Sequence, residues 1–148
     1  KMIDVLETTA FRLVRGLAAI GLESPSIYLL IVEPDAADIF RTDLTAETRI
    51  QLGAELQTLT VEEVLLERLA EVFAKLDRNV VLITFDRWRQ DVVLTFDRNI
   101  TLVRNGALLL LASQEIALRI LTAAPNLRNR ITDILEVRRD LAFGGGGA

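Results

Sequence analysis

Residues 79–112 constrain the fold more than any other part of this chain. Asn79–Phe85, Val92–Phe96, Ile100–Val103 and Ala107–Ala112 are apolar or β-branched, and short polar segments separate them. Runs of that length, bounded by turn residues, read as four β-strands. Asn105-Gly106 supports a hairpin, because this pair tolerates the positive φ angles of a tight turn. The expectation is an antiparallel four-stranded meander. Val80–Ile83 and Leu108–Leu111 are continuously apolar, so the sheet needs cover on both faces.

Helical periodicity supplies that cover. Ile3, Leu6, Ala10, Leu13, Val14, Leu17 and Ile20 predict an amphipathic helix over residues 3–21, stopped by Gly21 and Pro25. Ile27–Val32 reads as one further short strand, and Pro34 is placed to start a helical turn through Phe40. A helix is predicted from about Thr45 to Gln57. Thr60 and Glu63 form a capping box ahead of an amphipathic helix reaching Leu76. Ser113 caps a helix that Pro125 ends, and Asn126 caps a last one carrying Leu127, Ile131, Ile134, Leu135 and Leu141. These elements predict an α+β fold, with one domain over 1–142 and a flexible glycine-rich tail over 143–148. Val80–Arg87 and Val92–Arg98 nearly repeat each other, which predicts the same strand and turn used twice.

Composition narrows the chemistry. The chain has no cysteine and no histidine, so disulfides, thiolate nucleophiles and a Ser–His–acid triad are excluded. Neither Gly-x-Gly-x-x-Gly nor Gly-x-x-x-x-Gly-Lys occurs, and no cofactor is expected. The hydrophobic fraction is 51% with mean hydropathy +0.33. That is high for a small monomer and fits either apolar surface covered by a partner or a well-filled core under a thick helical layer. Fifteen of the 17 basic residues are arginine, the better interface partner for carboxylates. Residues 1–74 carry 6 basic and 13 acidic groups, residues 75–148 carry 11 and 8, an asymmetry suited to head-to-tail assembly. Asp4, Glu7, Arg12 and Arg15 interrupt the apolar run Met2–Leu22, so neither a signal peptide nor a membrane span is expected.

Two clusters are candidate sites. Glu33, Asp35 and Asp38 follow the first predicted strand, where three close carboxylates are candidate metal ligands or simply a solvated helix start. Arg87, Trp88 and Arg89 sit in a turn of the meander, an aromatic flanked by guanidinium groups of the kind that anchors a protein contact. Phe143 and the glycines behind it are a second candidate arm. Asp86 and Asp91 beside the tryptophan, and a pI near 4.9, argue against nucleic acid as the partner.

A family resemblance accompanies these features. Asp91–Leu94, Asn99–Val103 and Ser113–Thr122 run from a short apolar hairpin into a Gln-containing helix ending in Arg119-Ile120-Leu121-Thr122. This stretch resembles the baseplate-wedge (lysozyme-like) family of contractile phage tails. The likeness covers about residues 91–128, and that family's Glu-Pro-Arg signature does not occur here. It implies a structural component of a tail-like particle. The expected function is accordingly a non-enzymatic assembly protein, located in the cytoplasm or in a virion-like particle. It would contact copies of itself or other subunits, with no nucleic acid and no membrane. The alternatives are a small-ligand-binding α+β domain and a carboxylate, metal-dependent enzyme built on Glu33, Asp35 and Asp38.

Overall fold

The computed structural model of the 148-residue chain describes residues 8–63 and 66–137. Five strands make one sheet: β1 (Ser26–Val32), β2 (Gln57–Thr60), β3 (Val80–Phe85), β4 (Ala107–Ala112) and β5 (Asp133–Val137). Their order across the sheet is β2-β3-β4-β1-β5, and every pairing is parallel. The antiparallel meander is therefore wrong, and the class is α/β. Parallel neighbours need crossovers, and helices supply them: α1 (Thr9–Ile20), α2 (Ala37–Glu47), α3 (Leu69–Ala74), α4 (Gln90–Asn99), α5 (Gln114–Ala123) and α6 (Pro125–Arg130).

Side chains alternate across the sheet and build two cores. Tyr28, Leu30, Val32, Val80, Leu82, Leu109 and Leu111 face α1 and α2, meeting Leu13, Leu17, Phe40 and Leu44. Ile27, Leu29, Val81, Ile83, Phe85, Leu108 and Leu110 face the other way, onto α3, α4, α5 and α6. Phe96 of α4 is fully buried there, edge-on to Phe73 at 5.6 Å and to Phe85 at 6.1 Å. A sheet covered on both faces absorbs a large apolar fraction. The 51% hydrophobic content thus requires no partner surface.

Several predicted elements change identity. Val92–Phe96 is helix, because Val92, Val93, Phe96 and Ile100 form one buried stripe at helical spacing, and Ile100–Leu102 is a 3-10 turn. The near-repeat is consequently a strand in its first copy and a helix in its second. Asn105-Gly106 makes no hairpin and leads directly into β4. The Asn105 side chain accepts from the Arg78 amide at 2.7 Å, and Gly106 adopts φ +81° while donating to the Leu22 carbonyl at 2.8 Å.

The helix predicted over 45–57 lies earlier, as α2 with a π turn through Leu52, and β2 follows it. Half of the capping box forms, with the Thr60 amide donating to Glu63 at 2.7 Å, but regular α-helix begins only at Leu69. The last predicted helix breaks after Arg130 into β5, an edge strand. Its approach is pinned by the Ile27 amide donating to the Thr132 hydroxyl at 3.0 Å and by the Thr132 amide donating to the Ile27 carbonyl at 2.6 Å. Ile3, Leu6, Leu141, Phe143 and the glycine tail lie outside the described residues. Among the described residues, no helix is long and apolar enough to cross a membrane.

Candidate functional site at the strand tips

The chain leaves β1 for α2 on one face of the sheet, and leaves the adjacent β4 for α5 on the other. Divergence of neighbouring crossovers opens a crevice beyond the carboxyl ends of the strands, where α/β sheets place their ligands. A cavity of about 230 Å³ lies there. Val32 and Pro34 line it from β1 and its exit, Ala37 and Arg41 from α2, Thr84–Asp86 from the tip of β3, and Leu111–Ser113 from the tip of β4.

Three of these side chains carry chemistry. Asp86 is the first residue past β3 and is exposed, leaving its carboxylate open to a cation. Ser113 caps α5 by accepting from the Ile116 amide at 3.4 Å, so its own proton is free to be donated outward. Arg41, half-buried on the second turn of α2, forms an ion pair with Asp38. A cation, a carboxylate and a hydroxyl therefore share one crevice.

The segment after β1 shapes the anion side of this crevice. Parallel sheets commonly place a phosphate on the amide groups that open the following helix. Here that segment is Glu33-Pro34-Asp35-Ala36, a 3-10 turn in which Pro34 supplies no amide hydrogen. Glu33, Asp35 and Asp38 surround it with negative charge. They do not converge on one point: among the described residues, no group of three acidic side chains is arranged to hold a metal ion. The turn thus lacks the glycines and the lysine of phosphate-cradling loops.

The Arg87-Trp88-Arg89 turn stands beside Asp86. Arg87 reaches Glu62 at 2.5 Å, and Arg89 binds both oxygens of Asp91 at 2.9 and 2.7 Å. The hydrogen bond from Arg89 holds the Asp91 carboxyl below the ordinary aspartate range. That interaction operates while Asp91 is ionised and is lost as pH falls through its lowered pKa, below about pH 4. An NMR titration should show the Asp91 midpoint rising towards the normal aspartate value in Arg89→Gln. An unchanged midpoint would assign the shift elsewhere. Trp88 packs against the core beneath Arg119, whose guanidinium lies 4.3 Å from the ring centre.

A second cavity, about 260 Å³, separates α1 from β5 and is lined by Arg12, Tyr28, Asp133 and Glu136 among others. Burial, and then the charge of Asp133, push the Tyr28 phenol above its usual range, so it stays neutral.

No family model matches the chain, and no curated protein matches it. Solved structures do. The Aeropyrum pernix ORC2 protein in its ADP form aligns with TM-score 0.52 and 12% identity, over 86% of this chain and 46% of that one. Drosophila ORC bound to DNA aligns with TM-score 0.53 and 15% identity, over 88% and 29%. The Thermotoga maritima RuvB Holliday junction branch migration motor gives 0.50 and 14%, over 85% and 44%. The chain spans less than half the length of each.

Such identities establish a shared fold and nothing beyond it. The baseplate-wedge resemblance is overturned: its apolar hairpin is in fact helix α4 and a 3-10 turn. With it go the phage-tail assembly reading and the support for a virion-like location. The expectation that the chain is no enzyme also loses its basis. Phosphoryl transfer runs on carboxylates, arginines and a divalent cation, and lacking histidine and cysteine says nothing against it. The exclusion of nucleic acid fails too, since net charge averages over surfaces that the fold keeps apart.

Proposed function

We propose that the strand-tip crevice binds a magnesium–nucleotide. The observation that carries this reading is the convergence of Arg41, Asp86 and Ser113 on one cavity at the topological switch point. Asp86 would hold the metal, which commonly takes one or two carboxylates and completes its shell with phosphate oxygens and water. Ser113 would donate to a phosphate oxygen, and Arg41 would supply the fixed positive charge that lysine gives elsewhere. The neighbours include an ADP form of one protein and a branch-migration motor, which supports a nucleotide as the ligand.

The acidic turn after β1 makes this a demanding site for a bare phosphate. Binding should therefore depend on magnesium, with an affinity on the order of 0.1–1 mM, or about 4–5.5 kcal/mol. Titration calorimetry with ATP or ADP, with and without Mg²⁺, is the test. Asp86→Asn should abolish the magnesium dependence, and Arg41→Ala should weaken binding about tenfold, equivalent to 1.4 kcal/mol. No heat at 2 mM nucleotide, or binding that neither variant alters, sinks the proposal.

The ion pair with Asp38 offers a test of opposite sign. Asp38 competes with any anion for Arg41 and adds negative charge to the rim. Asp38→Asn should tighten nucleotide binding about two- to fivefold, since an exposed charge contact of this kind is worth up to about 1 kcal/mol. Weaker binding in that variant would show that Arg41 needs Asp38 to be held in place.

A further inference from the structure

The fold sorts the chain's charges by location. Residues 33–67, which build α2 and the β2 edge, carry nine acidic and two basic groups. Residues 86–130, which build the α4–α5–α6 layer and the turns around it, carry four acidic and seven basic groups. Within that second layer Arg87 and Arg89 are occupied by Glu62 and Asp91. Arg119, Arg128 and Arg130 form no ion pair among the described residues. Arg119 stands exposed on α5, while Arg128 reaches back to the Leu121 carbonyl at 3.4 Å, near the end of the same helix.

On this layer lies an open groove lined by Trp88, Gln90, Leu118, Arg119, Thr122 and Ala123. Its floor is the Trp88–Arg119 stack, and Leu118 stands 54% exposed beside it. The Arg119 guanidinium lies over the indole at 4.3 Å, and the free face of a guanidinium is a stacking surface for a planar ring. Arg128, held at the Leu121 carbonyl next to Thr122 of the lining, adds a cation for a flexible anionic backbone. A flat stacking plane flanked by unpaired arginines fits one chemistry best. An acidic peptide satisfies the charges but not the plane, and a duplex buries its base faces.

We propose that the Trp88–Arg119 groove binds single-stranded nucleic acid, with a base on the Arg119 plane and phosphates at the arginines of α5 and α6. The proposal is independent of the nucleotide reading, because the two sites share no residue.

Trp88 is the sole tryptophan, so its fluorescence reports on this groove alone. The full chain is titrated with a twelve-nucleotide oligothymidylate at 50 mM salt, and with the matching oligouridylate. Saturable quenching is expected with both, weakening as salt rises. Two or three phosphate contacts at about 0.7 each predict a log–log slope of roughly −2. Arg119→Ala should weaken binding at least tenfold. Arg119→Lys should keep the salt slope but lose most of the affinity, a split that simple charge attraction does not produce. Arg128→Ala should make the slope shallower by about 0.7. Thermal melting of each variant verifies its fold, and these exposed side chains should leave the melting temperature unchanged.

Four results each overturn the proposal. They are no quenching at 100 µM oligonucleotide, equal binding of a duplex, equal binding of a twelve-residue polyglutamate, or a lysine variant as good as the arginine.

Discussion

Phe96→Ala should cost about 3–5 kcal/mol, a large part of the roughly 5–15 kcal/mol that holds a domain folded. Phe96 is fully buried on α4 and meets Phe73 and Phe85 edge-on, so one ring joins two helices to the tip of β3. Truncation loses the transfer energy of the ring and leaves a cavity that three separate elements must collapse to fill. Chemical denaturation should show a lower midpoint with little change in slope. Phe96→Leu, which preserves most of the volume, should cost about 1 kcal/mol. A loss below 1 kcal/mol for the alanine variant would mean that α4 does not pack as described.

Gly106→Ala should be comparably damaging for a different reason. At φ +81° an L side chain is already strained. A Cβ there would also stand 2.5 Å from the Leu76 carbonyl oxygen and 2.8 Å from that of Asn79. Both obstacles are backbone, and Asn79 hands its carbonyl to the Ala107 amide at the start of β4. The turn after α3 and the central strand must shift together. A cost of about 3 kcal/mol or more is expected, beyond the 1–2 kcal/mol of the dihedral alone. Gly53→Ala separates the two contributions, because Gly53 has φ +64° but open space around its added Cβ. It should lose only about 1 kcal/mol. Equal losses at the two glycines would remove the steric part of the explanation.

These two positions also show how far the sequence could be read. The buried strands β1, β3 and β4 were legible because their apolar runs are continuous. The same property signals a parallel sheet covered on both faces. Asn105-Gly106 pulled the reading towards a hairpin, yet its glycine serves a close approach of two backbones, which no local pattern distinguishes. Val92–Phe96 carries a strand's composition and a helix's burial, and packing under α5 and α6 decides between them. β5 was read as helix because Ile131, Ile134 and Leu135 fit helical spacing over too few residues to discriminate. The site was visible only in parts. Ser113 was recognised as a cap and Asp86 as a turn residue, each correctly in local terms. Arg41 gave no signal at all, and only the parallel pairing of β1 with β4, and of β4 with β3, brings the three together.

The pairing of β1 with β4 also sets the order in which the sheet can close. Ile27 of β1 is bound to Thr132, 105 residues later, and β1's other edge pairs with β4 from Ser26↔Ala107 onwards. The first strand of this sheet in chain order is therefore flanked only by the last two. On a ribosome, β1 must wait with both edges bare until β4 has emerged. Its apolar run Ile27–Val32 is exposed to neighbouring nascent chains for that interval. A chain of this topology depends on late closure, and fragments cut before Ala107 should aggregate rather than fold in part.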